Sequence, residues 1–600
     1  MKGIETPRYV GLEKPNIDYH HGQLKAILGA RIRQIVSADR DHPEDSDGTD
    51  YTYKHAPDMA FFNGKFYVQY LCTPKDEHVG PGISVIASSI DGEKWGDFKI
   101  SFPKYLIPKC ELDDYKNIHH SFDGTTYAFM HQRMGFYRSK NNKMLLLGFY
   151  GYSPKFWMVN WDNYGIGRVV RELKTDGELG DIYFIRPNYQ AGWQDDQLNY
   201  PIYTQCKDIG FVDACKELLE EPLVVQQWAE ENGDIDPLIR IKHKDNGERY
   251  EAFCSYKIDE SSVIALWKKS YVARSNDGGE HFGKIRFEPS LVMSGQKIWG
   301  EKVADNKYIL AYDPTLESVH RWPLCVTFSS NGIDFDNMRM LHGEVPPMRY
   351  KGIWKDYGPQ YMRGLSWYNK CKDDAPDSGY WYLTYSVNKE DIWFAKIPVN
   401  ALEYENDKCC NIQQLTHVYE PIRTRAIVDK NQIYLEDRNS TDYCKTITYT
   451  GNIKVLSAVI DIEEINTDSF YIELCDSKYQ VATRIIFDST GLVSSQVTAV
   501  NGLCKADYKH LLSLKIDIDT DNYTNEIVLS DSETGEVKHR TERFYTAVDE
   551  IVYMVLRTAM PRKIPDRDSD PDMVQDIEKT DINKKIVVTL KDLHWENKKE

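Results

Sequence analysis

A chain of 600 residues is too long for one hydrophobic core and points to two or more domains. Its net charge of -18, with no Lys/Arg block, argues against a nucleic-acid or anionic-membrane surface, and it has no run of 18 apolar residues to span a bilayer. Aromatic residues make up 12%, including 40 Tyr and 13 Trp, a supply that suits β-rich cores and sugar-binding clefts alike.

The opening MKGIETPRYVG lacks the apolar core of a secretory signal. The expected location is cytoplasmic, or secreted or periplasmic if a signal peptide has been removed. Residues 1–49 read as an N-terminal segment joining the unit that follows. From 50 to 415 a loose repeat runs through the chain. Its copies are HAPDMAFFNGKFYVQYL with GISVIASSIDGEKW (55–95), MHQRMGFYRSKNNKMLLLGFYG (130–151), RYEAFCSYKIDESSVIALWKKSYVARSNDGGEHF (249–282), KIWGEKVADNKYILAYD with PLCVTFSSNGIDF (297–335), and QYMRGLSWYNK with GYWYLTYSVNKEDIWFAKIPV (360–399). Short alternating strands in groups of three or four, divided by Gly or Asn turns, predict an all-β chain whose first unit is a β-propeller of five to seven blades, six favoured. Helical spacing at Phe211, Ala214, Cys215, Leu218 and Leu219 predicts a helical insertion over 207–232. After about 415, alternating segments such as IKVLSAVIDIEE and HLLSLKIDID predict a β-sandwich accessory domain over 416–600, concanavalin-like or jelly-roll. The acidic, proline-bearing 563–581 reads as a solvated loop without EF-hand spacing. No cofactor is expected. A structural calcium ion is left open, and no metal ligands are assigned. The twelve Cys show no zinc spacing and read as small buried side chains.

Three copies end in a related turn: Ser275-Asn-Asp-Gly-Gly-Glu-His-Phe282, the shorter Ser89-Ile-Asp-Gly-Glu-Lys-Trp95, and the degenerate Ser329-Ser-Asn-Gly-Ile-Asp-Phe335. Asp or Asn bonds its own turn backbone, Gly takes the positive φ, and the aromatic packs into the blade. These turns are expected to be structural and remote from any catalytic pocket.

In a propeller the innermost strands surround the axis, so polar residues at their starts converge from distant sequence. That places His55 and Asp58 of the first repeat with His131, Gln132 and Arg133 of the second, Lys297 and Glu301 of the fourth, and Tyr361 and Arg363 of the fifth. Glu77 lies beside His78 on a loop between strands, and Lys389 and Asp391 sit at a hairpin tip. Polar groups near a crowded axis are costly without partners. The candidate acids and bases are therefore His55, His131, Glu77, Glu301 and Asp391. The candidate substrate-binding groups are Asp58, Gln132, Arg133, Lys297, Tyr361, Arg363 and Lys389. The bland alternatives are inter-blade ion pairs for Arg133 and Arg363, a strand cap for His55, and a solvated turn at Lys389 and Asp391.

The three turns and the repeat order resemble those of the sialidase-superfamily propellers. The strings HAPDMAFFNGKFYVQYL, MHQRMGFY, GIGRVVREL, RWPL and YSVNKEDIW are similar to those of bacterial proteins labelled exo-α-sialidase-like. The resemblance covers roughly 50–415 and implies an exo-acting glycoside hydrolase on a complex glycan carrying an acidic or deoxy sugar, with a sandwich behind the propeller. The chain also resembles the propeller α-L-rhamnosidases and rhamnose–glucuronate lyases. That implies His, Tyr and Arg chemistry, with His55 where such a rhamnosidase carries its histidine and with His131 and Arg133 suited to a base and a carboxylate clamp. A hydrolase protonates the leaving oxygen and places a base or nucleophile on the other face. The alternatives are a lyase, with a His base at C5, Arg on the carboxylate and Tyr on the leaving group, and a carbohydrate-binding propeller without turnover. The expected partner is an oligosaccharide or polysaccharide, with no nucleic acid, no membrane, and the oligomeric state open.

Overall fold

The computed structural model describes residues 5–114, 117, 119–130, 135–152, 165–229, 250–497, 502–566, 568 and 583–598. Among them, five blades, each with four antiparallel strands at its heart, can be traced, the low end of the expected five to seven and one fewer than the favoured six; Arg8–Tyr9 adds a parallel strand to blade 4 and Phe129–Met130 an antiparallel one to blade 2. Blade 1 runs Tyr53–Phe62, Lys65–Thr73, Ile83–Ser89, Gly96–Phe102. Blade 2 runs Gly135–Arg138, Met144–Gly151, Gly165–Leu173, Tyr183–Pro187. Blade 3 runs Cys254–Lys257, Val263–Trp267, Tyr271–Ser275, Arg286–Phe287. Blade 4 runs Trp299–Ala304, Lys307–Tyr312, Leu324–Ser329, Asp334–His342. Blade 5 takes three strands from its own stretch of chain, Pro359–Gly364, Tyr380–Val387 and Asp391–Pro398. Its fourth strand is Arg31–Ser37, from near the N-terminus, antiparallel to the third.

Burial explains which segments became which strands. Lys65–Thr73, KFYVQYLCT, is buried at eight of nine positions, because a strand inside a blade is covered on both faces by the neighbouring blades. The outer strand Gly96–Phe102 is fully buried only at its last two residues. The inner strand of blade 1 packs against blade 5, which closes the ring.

The insertion forms two helices, Ile209–Glu220 and Pro222–Ala229. Asp208 caps the first by accepting from the Phe211 amide. Phe211, Ala214, Cys215 and Leu218 pack on blade 2 through Leu145, Leu147, Val170 and Ile185. Leu223 packs instead with Phe253, Val263 and Trp267 of blade 3. The helices therefore fill the seam between these blades, where each buried Phe or Leu contributes roughly 1.5–3 kcal/mol.

The C-terminal part forms two seven-stranded antiparallel arrays over one apolar core that includes Ile433, Leu456, Ile472, Phe487, Leu514 and Val588. One array is continuous with blade 5, because Thr416–Glu420 pairs in parallel with Arg31–Arg33. Glu420, fully buried, accepts from Arg31 (3.0 Å) and Arg33 (2.6 Å) at this seam.

Candidate active site

Strand direction decides where the chemistry collects. Every innermost strand starts at one end of the propeller. The connections from second to third strands, and those from one blade to the next, return to that same end. Among the described residues a polar cluster gathers there from four blades. Blade 1 gives Tyr53, His55 and Glu77, and blade 3 gives Lys268. The approach to blade 4 gives Lys297, and its second connection gives Asp313 and Arg321. Blade 5 gives Tyr361 and Lys389, and the segment leading into it gives Asp356. Each of these is less than one-tenth exposed. The sequence candidates His131, Gln132 and Arg133 lie outside the described residues.

Two inner strands depart from regular pairing at this point. Register shifts fall between His55 and Asp58 in blade 1 and between Gln360 and Arg363 in blade 5. Ala56 (φ +47°) and Tyr361 (φ +58°) take left-handed backbone. Such residues cost roughly 1–2 kcal/mol each, and bulges of this kind turn side chains toward a site. The His55 and Tyr361 rings meet at 4.2 Å between centroids.

His55 is a neutral base by construction. Its Nδ1 lies 2.7 Å from Ser386 Oγ, whose hydroxyl donates onward to Gln360 O (3.4 Å). Nδ1 therefore carries the proton, and Nε2, buried without a partner, keeps its lone pair. Burial, followed by Lys389, Arg321 and Lys268, holds the imidazole well below its ordinary pKa. The Tyr53 hydroxyl is also buried, beside the Glu77 carboxylate. Burial and the nearby Glu77 carboxylate raise its pKa.

The charged groups contact one another across the cluster. Lys389 bridges Glu77 (3.4 Å) and Asp356 (2.9 Å), and Asp356 also takes Arg321 (3.1 Å). Lys297 sits over the Tyr361 ring at 3.9 Å, and Lys268 lies 3.5 Å from its hydroxyl. Burial pushes Glu77 up, but Lys389 and His78 outweigh it, and the carboxyl settles below its ordinary range. Asp313 goes the other way. Both its oxygens are buried without partners, and burial raises its pKa far more than Arg321 lowers it. Among the described residues the cluster thus brings four basic side chains together with three carboxyl groups, of which Asp313 is pushed furthest toward its neutral form.

Several candidates belong elsewhere. Arg363 and Asp58 form a buried ion pair between blades 5 and 1 (3.2 Å). Glu301 accepts from Trp299 Nε1 (2.9 Å) and Lys370 (2.7 Å). It lines a cavity with Phe61, Leu365 and Tyr382 at the opposite end of the inner strands. Asp391 pairs with Arg349 beside Ser37 and donates nothing to the cluster. Its neighbour Lys389 turns inward because Asn388 and Lys389 both take positive φ.

The residues missed by sequence reading, Tyr53, Lys268, Asp313, Arg321 and Asp356, stand mostly on the connections rather than on strand starts. The available signal was a charged residue directly after an apolar second strand, as in ALWK (265–268) and LAYD (310–313).

Residues 5–245 match the family described as BT_1020-like, N-terminal beta propeller, and residues 417–573 match the family described as Sialidase-like, CBM domain. A solved structure described as "Sialidase" is 30% identical, with a TM-score of 0.88, and the match covers 99% of this chain and 54% of that one. The chain thus spans about half the length of that protein. Weaker likenesses, too slight to bear on the fold, include a Trypanosoma rangeli sialidase in complex with 2,3-difluorosialic acid (TM-score 0.35, 10% identity, 95% of each chain). Another is the Bombyx mori GH32 beta-fructofuranosidase BmSUC1 (TM-score 0.32, 12% identity, 91% of this chain and 97% of that one). No curated protein matches the chain. In fold the chain is a β-propeller similar to that of this sialidase, followed by a domain similar to the sialidase-like CBM domain.

Proposed function

We propose that the chain is an exo-acting glycoside hydrolase that releases an acidic sugar from a complex glycan. The observation that carries this reading is the buried cluster of Lys268, Lys297, Arg321 and Lys389 around two reactive groups without hydrogen-bond partners, His55 Nε2 and the Asp313 carboxyl. Lys268, Lys297 and Arg321 would hold the sugar carboxylate by charge-assisted bonds. Asp313, protonated, would give its proton to the leaving oxygen. Ionised Glu77, next to Tyr53, would serve the other face as base. Enclosure of every member favours a chain end over a chain interior, hence exo action.

A lyase reading draws support from one feature, the neutral His55 between two tyrosines. A screen of oligosaccharides ending in sialic, glucuronic or galacturonic acid separates the two. Hydrolysis adds the mass of water, whereas elimination leaves an unsaturated uronate that absorbs ultraviolet light. Glu77→Gln and Asp313→Asn should each lower kcat by about 10²–10⁴. Absence of product on every acidic glycan, or turnover indifferent to both variants, would overturn the proposal.

A further inference from the structure

We propose that Trp354 forms a second sugar subsite at the lip of this pocket, for the neutral pyranose on the leaving-group side of the acidic sugar. The proposal rests on the reading of the pocket as an acidic-sugar site.

The segment from Arg349 to Gly358 joins the outer strand of blade 4 to the inner strand of blade 5. It is pinned on both sides of Trp354. The Glu390 carboxylate accepts from Arg349 N, Tyr350 N and Lys355 Nζ, each at 2.9 Å. Lys355 Nζ also donates to Tyr350 O (3.0 Å) and Thr52 O (3.2 Å). Gly352 approaches the Glu77 loop so closely that a Cβ there would lie 2.6 Å from Lys75 O. The Trp354 carbonyl accepts from Lys389, and Asp356 is held by Arg321 and Lys389.

Between these anchors Trp354 takes φ +66° and stays 43% exposed, while Lys355 and Asp356 beside it are buried. Left-handed backbone costs a bulky residue roughly 1–2 kcal/mol, and an exposed indole forgoes the burial its surface would reward. Both costs are met in a segment whose anchors are pocket residues or their direct supports. That is the pattern of a pre-organised contact rather than of a loose loop. The indole ring lies 6.3 Å, centroid to centroid, from His78, the neighbour of Glu77. A sugar bonded to one held at Glu77 therefore falls within reach of it. The apolar C–H face of a pyranose packs on an aromatic face and needs no charge, so this subsite selects a neutral sugar while the cationic cluster selects the acidic one.

The test is calorimetric titration of wild type, Trp354→Ala and Trp354→Phe. The probes are free sialic and glucuronic acids, 3′-sialyllactose, a glucuronate-capped neutral disaccharide, and a neutral trisaccharide. Wild type should bind an acid-capped oligosaccharide roughly 10-fold or more tighter than its free acid. Trp354→Ala should abolish that difference without changing affinity for the free acid, and Trp354→Phe should restore most of it. The wild-type fluorescence change on oligosaccharide binding should vanish in Trp354→Phe even though binding persists, a readout that stands if the alanine variant does not fold. If only the neutral trisaccharide binds, and Trp354→Ala loses it, the subsite stands and the acidic-sugar reading falls. Binding by Trp354→Ala equal to wild type, or no oligosaccharide bound by wild type, overturns the subsite.

Discussion

Asp313 and Arg363 show how burial sorts like residues into different roles. Asp313 has no partner for either oxygen, and burial pushes its carboxyl well above the usual carboxylate range. A group whose folded pKa is raised supplies its proton below that pKa and loses the ability above it. The rate should therefore fall as pH rises through the Asp313 titration, and Asp313→Asn should remove that basic limb together with most of kcat. His55, held well below its ordinary pKa, should add no inflection near pH 6.5. Arg321→Ala should cut kcat/KM on an acidic substrate by roughly 10- to 150-fold, from a lost charge-assisted bond of about 1.5–3 kcal/mol. A neutral aryl glycoside serves as the control and should be little affected. Arg363→Ala, by contrast, breaks a buried ion pair and should cost about 3–5 kcal/mol of stability, read as a drop in Tm. An unchanged Tm with lost activity would return Arg363 to the site. Of the sequence candidates, His55, Tyr361, Lys297, Glu77 and Lys389 stand in the cluster; they were legible because polar residues stand out against apolar strand starts and short hairpins. The sequence could not separate Arg363 from Arg321. Both are arginines near strand ends, and only the closed ring sets Arg363 against Asp58 of blade 1 and Arg321 against Gln360 and Asp356.

At the scale of elements, the connections carry the chemistry and the turns between third and fourth strands carry the architecture. The three related turns follow the third strands of blades 1, 3 and 4, which places them at the end opposite the cluster. In each, the serine and the Asp or Asn two residues on bond the turn backbone. Gly92 N, Gly279 N and Gly332 N donate to Ser89, Ser275 and Ser329 Oγ, each at 2.9 Å. Asp277→Ala should lower Tm and leave the kcat of the folded protein unchanged. A fall in kcat at constant Tm would contradict this. These turns were legible because each is a local signal of about eight residues. The second-to-third connections were not, because their lengths vary and only the closed ring brings their ends together. Gly358, on the connection from blade 4 to blade 5, shows how tightly such a segment is held. It takes φ +88°, its amide donates to Asn388 Oδ1 (2.8 Å), and a Cβ would lie 2.0 Å from Arg321 O. Gly358→Ala should displace Arg321 and Asp356 together. Its kcat/KM loss on the acidic substrate should match or exceed that of Arg321→Ala, with a lower Tm besides.

Across the whole molecule the two halves share backbone and buried polar groups. The parallel pairing of Arg31–Arg33 with Val418–Glu420 leaves no trace in local pattern, since its strands lie almost 400 residues apart in sequence. Histidines are buried along this junction. His417 Nδ1 donates to Ile27 O (3.1 Å), and the His342 ring packs edge-on against Trp393 at 4.8 Å. Burial lowers the pKa of His417 to about 4 and that of His342 to about 3. The unfolded chain binds these protons near pH 6.5 and the folded chain does not. Each histidine therefore costs stability progressively as pH falls below about 6.5, at up to about 1.4 kcal/mol per pH unit, until its folded pKa is reached. Other groups oppose this slope. Burial raises Asp442 to about 7, so the folded state holds an extra proton there between the unfolded carboxylate range and pH 7. Total stability against pH thus mixes opposite signs, and a difference between proteins isolates one group. His417→Asn keeps a donor near Ile27 O and cannot titrate. Relative to wild type it should gain stability as pH falls from 6 to 4.5, approaching about 1.4 kcal/mol per unit, whatever its offset at pH 7. Denaturant midpoints at pH 7, 6, 5 and 4.5 measure this. A difference that stays constant over that range would show that His417 is already protonated, or already solvated, at the junction.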